Sequence, residues 1–245
     1  MTRKIRYAVL AVICLMAPIA AWGKSIDLDI RPGEGVTEQR KLSDYFAPLK
    51  DTNQNTDVFI LDRGKPGVTA LMLGGTHGNE LAGTTSALVV VENSVMKAGR
   101  LIVIPYANHS AISMKDTRKH IAQRHRIESR SGERYLVYGD RRTDPDDQGI
   151  EDPEIYTNPK GYELTNGAES RNLNRTYPGK PDGTPTERVS FAIIELIKKE
   201  QVDLSLDMHE ADTPEKKIQT DGDYRPGGNK RLAYTLVSHP RGLEI

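Results

Sequence analysis

Val68-Thr69-Ala70-Leu71-Met72-Leu73-Gly74-Gly75-Thr76-His77-Gly78-Asn79-Glu80 is the stretch on which the fold turns. Its first six residues are mostly apolar, which predicts a strand, and Gly74-Gly75 closes it. Glu80 to Glu92 follows, rich in Ala, Leu and Val, and reads as a helix. A strand, a glycine turn and a helix make one β–α unit. Working outward, Asp57 to Leu61 is β-branched and apolar, with Gly64-Lys65-Pro66-Gly67 as the turn after it. Leu101-Ile102-Val103-Ile104-Pro105 is a continuous apolar run, which suits a strand buried on both faces. Thr186 to Lys199 carries apolar residues at helical spacing, with Thr186-Glu187 as its start. Val202 to Met208 predicts a fourth core strand. Alternation of this kind implies an α/β sheet with helices on both faces.

Residues 110–170 differ. They hold many charges, several Gly and Pro, and few apolar runs beyond Tyr135-Leu136-Val137-Tyr138. They predict a polar insertion, a long loop with short local structure. Such an excursion either shapes a site or simply lies in solvent.

The first 23 residues read as a secretory signal peptide. Arg3, Lys4 and Arg6 form a basic start, Tyr7 to Ala21 runs apolar without a charge, and Ala21-Trp22-Gly23 offers a cleavage site. The competing reading, a membrane anchor, asks for about 20 apolar residues, and Pro18 interrupts a shorter run. Removing residues 1–23 takes the formal charge from 0 to about −3. No basic bias remains, so nucleic acid is not an expected partner, nor is stable membrane insertion after cleavage. Cys14, the only cysteine, leaves with the signal. The expected location is the periplasm or the exterior, and residues 24–245 form one catalytic domain.

Two sites for chemistry stand out. His77 and Glu80, three apart where a strand becomes a helix, lie at the carboxyl end of a sheet strand, where ligands bind in open α/β sheets. Alone, H-x-x-E equally suits a surface His beside a helix-capping Glu. Asp207-Met208-His209-Glu210 ends another predicted strand and brings a second His to the same edge. Two His and one carboxylate are the ligand set of a catalytic zinc with an open fourth position. Manganese or cobalt suit the same donors. Between them, Arg171-Asn172-Leu173-Asn174-Arg175 is either an anion-binding cluster or an exposed polar turn.

In this order the motifs resemble the zinc carboxypeptidase superfamily, and more closely its succinylglutamate desuccinylase and aspartoacylase branch. Leu173-Asn174-Arg175 and Tyr177-Pro178-Gly179 match the middle motif, with Asn172 where an acidic residue is usual; Ile104 to Asn108 is similar to a strand end of that branch. The resemblance covers about residues 56–215. It implies a mixed, mostly parallel sheet with helices on both faces, and one zinc ion held by His77, Glu80 and His209. It further implies that Asn174 and Arg175 grip a free carboxylate and that Arg171 polarises the scissile carbonyl. Asn108 gains no role. The family's general-base glutamate lies on a later strand. The chain ends at Ile245, with only Glu244 and Glu210 as poor candidates, so its C-terminal elements are expected to be missing.

Three functions follow. One is a zinc hydrolase cleaving an amide of an N-acyl amino acid or peptide with a free carboxylate. The second is an exported metal- and ligand-binding protein of the same fold without efficient catalysis. The third is a structural α/β domain with no site.

Overall fold

The computed structural model describes residues 28–116, 121–129 and 132–210. The signal-peptide reading, Cys14 and Glu244 lie outside them. Among the described residues no helix is long and apolar enough to cross a membrane.

The elements run β1 (Glu38–Lys41), β2 (Asp57–Asp62), β3 (Thr69–Leu73), α1 (Leu81–Asn93), β4 (Arg100–Ile104), α2 (His109–Ser113), β5 (Lys115–Asp116), β6 (Ile121–Ser129), β7 (Gly132–Tyr138), α3 (Pro145–Gln148), β8 (Tyr156–Thr157), β9 (Glu163–Leu164), α4 (Leu173–Thr176), α5 (Pro185–Lys199) and β10 (Leu204–Asp207). The central sheet has the order β1-β2-β4-β3-β10. β3 pairs in parallel with β4 and with β10, and β2 is antiparallel to both its neighbours. Four of the five strands therefore share one direction, a mixed and mostly parallel sheet.

Alternation along each strand feeds two cores. Val58 and Ile60, Leu71 and Leu73, and Ile102 and Ile104 face α5, against Val189, Ala192, Ile193 and Leu196. Phe59, Leu61 and Val103 face α1, against Ala87 and Val91. Burial on both faces is what makes these runs continuously apolar. α5 starts one residue earlier than its sequence suggests. Thr184 is the cap, accepting from Glu187 N while Glu187 Oε2 accepts from Thr184 N, and Pro185 fills the first turn. Thr186 points inward instead, donating to Gln148 Oε1 at 2.8 Å.

Two expectations need correction, and one strand carries no sequence signal. Residues 110–170 are not mainly loop: β5, β6 and β7 form a sheet, and Leu136 and Val137 pack with Leu88 of α1 and Ile112 of α2. One buried position of this hairpin is Arg134, which breaks the apolar pattern. Its guanidinium donates to both Glu92 oxygens at 2.7 Å and to the Asp29 carbonyl at 2.6 Å. β1 carries no apolar signal, because an edge strand can be wholly polar, as Glu38-Gln39-Arg40-Lys41 is. Conversely β10 is not a core strand among the described residues. It pairs only with β3, and Leu204 and Leu206 are 46% and 41% exposed.

Candidate metal centre

The loop between β3 and α1 is tied to the segment after β4. Gly74 N donates to Ile104 O, and Ala107 and Asn108 donate to Gly74 O and Gly75 O. Gly75 has φ +64°, and a side chain there would meet Ile112 Cδ1 at 2.6 Å, so only glycine fits. The turn leaves His77 and Glu80 buried at the carboxyl end of β3. β10 lies beside β3, and Met208 N extends the pairing to Leu73 O at 2.9 Å. A side chain at Gly83 of α1 would lie 2.4 Å from Met208 O, so this glycine lets the strand end approach the helix. His209 is thereby delivered to the same edge.

Glu80 lies between the two imidazoles. Its Oε1 is 2.6 Å from His77 Nδ1, and its Oε2 is 2.8 Å from His209 Nδ1. One ligand atom from each of the three residues falls within 4.8 Å of the others. Burial raises the Glu80 carboxyl, but hydrogen bonds from His209 and His77 outweigh it and hold the group well below the usual carboxylate range. The other ring nitrogens have acceptors. His77 Nε2 lies 2.9 Å from Asn172 Oδ1, and His209 Nε2 lies 3.1 Å from Asp207 Oδ2. Asp207 is itself held by Thr76 Oγ1 at 2.7 Å. Acceptors at both Nε2 atoms hold protons there, so a metal would take the Nδ1 side by displacing the protons that bond to Glu80. Two imidazole nitrogens and one carboxylate oxygen on one side are a donor set that fits zinc.

The hydrogen bonds to Asp207 and Glu80 push the His209 imidazole from 6.5 up to about 9. A raised imidazole stabilises the metal-free fold below about 6.5, and that stabilisation is lost as pH rises through about 9. A metal must displace this proton. Apparent zinc affinity, measured by competition with a chelator, is expected to climb by up to about tenfold per pH unit across that window. An affinity that stays flat there would remove His209 from the ligand set.

The other expected residues are dispersed. Asn174 and Arg175 line a cavity of about 430 Å³ with Asn158, Lys160, Tyr162 and Tyr177. Asn174 Oδ1 and Tyr177 Oη are buried there without a hydrogen-bond partner among the described residues. Arg175 is held only loosely, 3.6 Å from Glu169. Arg171 is engaged elsewhere. It forks onto both Asp152 oxygens at 2.8 Å and donates to Thr143 O at 2.8 Å. Asn108 caps α2 and accepts from Thr143 Oγ1.

Five residues around the centre gained no firm role from the sequence. Arg141, after β7, donates to Glu80 Oε1 at 3.3 Å, and nothing in the run Asp140-Arg141-Arg142 singles it out. Asn172 and its partner Glu169 needed the fold to be found. Asp207 had a signal, since residues two apart on a strand share a side and a carboxylate there can hold an imidazole. Glu210 Oε2 accepts from Ala82 N at 3.1 Å, in the first turn of α1.

No family model matches the chain. A curated N-alpha-acetyl-L-2,4-diaminobutyric acid deacetylase of Halomonas elongata is 28% identical over 156 residues, 62% of this chain and 31% of that protein. Among solved structures, a succinylglutamate desuccinylase from a Silicibacter species is similar at 22% identity and TM-score 0.39, over 64% of this chain and 33% of that one. An ectoine utilization protein from Ruegeria pomeroyi gives 23% and 0.40 over 64% and 33%, and an aspartoacylase family protein from Mesorhizobium loti 23% and 0.39 over 76% and 42%. The chain spans about a third of the length of the curated relative. The chain is thus similar to a curated deacetylase, and its motifs resemble those of the succinylglutamate desuccinylase/aspartoacylase branch.

Proposed function

We propose that this chain bears the metal centre of a zinc-dependent amide hydrolase, exported to the periplasm or beyond, that acts on an N-acyl amino acid or short peptide with a free carboxylate. The convergence of His77, Glu80 and His209 on one point carries the reading. The curated deacetylase, a protein acting on an acylated amino acid by its name, supports it. A bound zinc supplies Lewis acidity toward the scissile carbonyl and lowers the pKa of a water.

The chain's own side chains do the rest. Arg141 stands at the metal centre with a side chain 40% exposed, and is suited to receive charge developing on the carbonyl oxygen. This role passes to it from Arg171, whose fork is filled by Asp152. Arg175 keeps donors free for a carboxylate, and Asn174 Oδ1 offers a buried acceptor to a substrate N–H.

One observation favours a second reading, metal and ligand binding without efficient turnover. Among the described residues, the carboxylates near the centre are committed: Glu80 to both imidazoles, Asp207 to His209 and Thr76, Glu210 to Ala82 N. Elemental mass spectrometry of the purified chain, with His209→Ala alongside, tests what the two readings share. About one zinc per chain, lost in the variant, is expected. No metal after refolding with zinc would sink both. Hydrolysis of N-acetyl amino acids, but not of their carboxamides, then separates enzyme from binder.

A further inference from the structure

Arg175 lines the cavity of about 430 Å³ with a side chain 47% exposed, and the anion beside it is Glu169. The two do not close into a hydrogen-bonded ion pair, since Arg175 Nε stands 3.6 Å from Glu169 Oε2. The gap has a visible cause: both Glu169 oxygens are already taken. Arg142 donates through Nη2 to Oε1 at 2.5 Å, and Asn172 Nδ2 donates to Oε2 at 2.7 Å. The Glu169 side chain is only 16% exposed, so water does little to weaken these contacts. The bond to Glu169 is also the only one that the Arg142 side chain makes among the described residues, and its Nε is buried without an acceptor.

Without Arg142 the balance changes. Glu169 would keep one side-chain hydrogen bond and carry an unbalanced charge beside an arginine with open donors. A shift of roughly 0.8 Å would bring Arg175 to the 2.8 Å or so typical of a charge-assisted bond. Its guanidinium would then be filled by the protein's own carboxylate, as Asp152 fills that of Arg171. A substrate carboxylate would have to compete with Glu169 for it.

We propose that Arg142 is a positioning residue that keeps Arg175 open to a substrate carboxylate by holding Glu169 back. The inference rests on the carboxylate-binding role proposed above for Arg175. A purely structural Arg142, bracing the turn that carries Glu169, would affect stability, and removing Glu169 as well would not undo its loss.

The test compares the parent chain, Arg142→Ala, Glu169→Gln and the two combined, all supplied with zinc. Calorimetry reads the affinity for N-acetylglycine, with its carboxamide as the control. On the ligand-free proteins, ¹⁵N NMR reads hydrogen exchange at Arg175 Nε–H. Arg142→Ala is expected to bind N-acetylglycine about fivefold more weakly, as for an Arg175 that is free about a fifth of the time. Its Nε–H exchange should slow by a similar factor. Glu169→Gln and the combination should stay within about twofold of the parent in both readouts. A combination as weak as Arg142→Ala would overturn the proposal, because Glu169 would not be the competitor. So would Glu169→Gln binding about fivefold more tightly, because Glu169 would then occupy Arg175 already in the parent. If Arg142→Ala does not fold, judged by its thermal midpoint, Arg142→Gln takes its place with the same expected result. A parent that does not bind N-acetylglycine would remove the carboxylate role of Arg175. Unchanged exchange at Arg175 in the Arg142 variant would overturn the role of Arg142 whether or not the parent binds.

Discussion

Glu80→Gln is expected to strip the metal from the chain and to lower its thermal stability, although the substitution barely changes shape. Glu80 is the one anionic donor of the set, and its carboxylate is shared by both imidazoles, by Glu210 N at 3.1 Å and by Arg141 at 3.3 Å. A glutamine replaces one of these acceptor oxygens with an NH2 group. That group would face a donor, Glu210 N–H or Arg141, whichever way it turns. Losing a direct ligand should cost more than the roughly 10–100-fold in affinity that outer partners are worth. The unmatched buried donors should cost about 1–3 kcal/mol even without metal, or a midpoint lower by about 3–10 °C for a domain of this size. Metal content and calorimetry on the same sample measure both. A variant that keeps its zinc would show that the two histidines bind metal without Glu80.

The two arginines give the second large effect, and it separates them. Arg141→Ala is expected to lower kcat by about 10²–10³, the size seen when one donor to a developing oxyanion is removed. KM and the thermal midpoint should hardly move, since the side chain is 40% exposed. Arg171→Ala should do the reverse. It leaves Asp152 without its two-pronged partner and Thr143 O without a donor. Lost hydrogen bonds to charged groups are worth about 1.5–3 kcal/mol, and kcat on any accepted substrate should stay near the parent value. If instead Arg171→Ala loses turnover with stability intact, the role implied by the family resemblance returns to it.

These two arginines also show what a sequence can and cannot reveal. Charge and spacing pick out a cation near a motif, but not the anion that will occupy it. Asp152, 19 positions before Arg171, claims that side chain only after the chain folds back. Arg141 reaches Glu80 only because β6 and β7 pair and pack on α1 and α2. That hairpin was hidden by Arg134, a charge at a buried position whose partners, Glu92 and Asp29, are remote in sequence. By contrast β2, β3 and β4 were legible, since strands buried on both faces have no polar positions to confuse the pattern. His77 and Glu80 could be seen together because a strand, a glycine turn and a helix fix their relation locally. The meeting of His209 with them depends on β10 lying beside β3, which the order of motifs suggested and local pattern did not.

That meeting has a consequence for how the molecule holds together. Glu80 and His209 are 129 positions apart, and β10, which ends two residues before His209, is paired along one side only among the described residues. A metal ion gripping both would act as a cross-link closing a very long loop, in a chain whose single cysteine rules out an internal disulfide. Closing a loop of this length restricts the unfolded chain by about 4–5 kcal/mol on the chain-entropy account of cross-links. The edge of the sheet would then be the first part to loosen when metal is withdrawn. Amide exchange along β10 would report that loosening before the remaining core had opened.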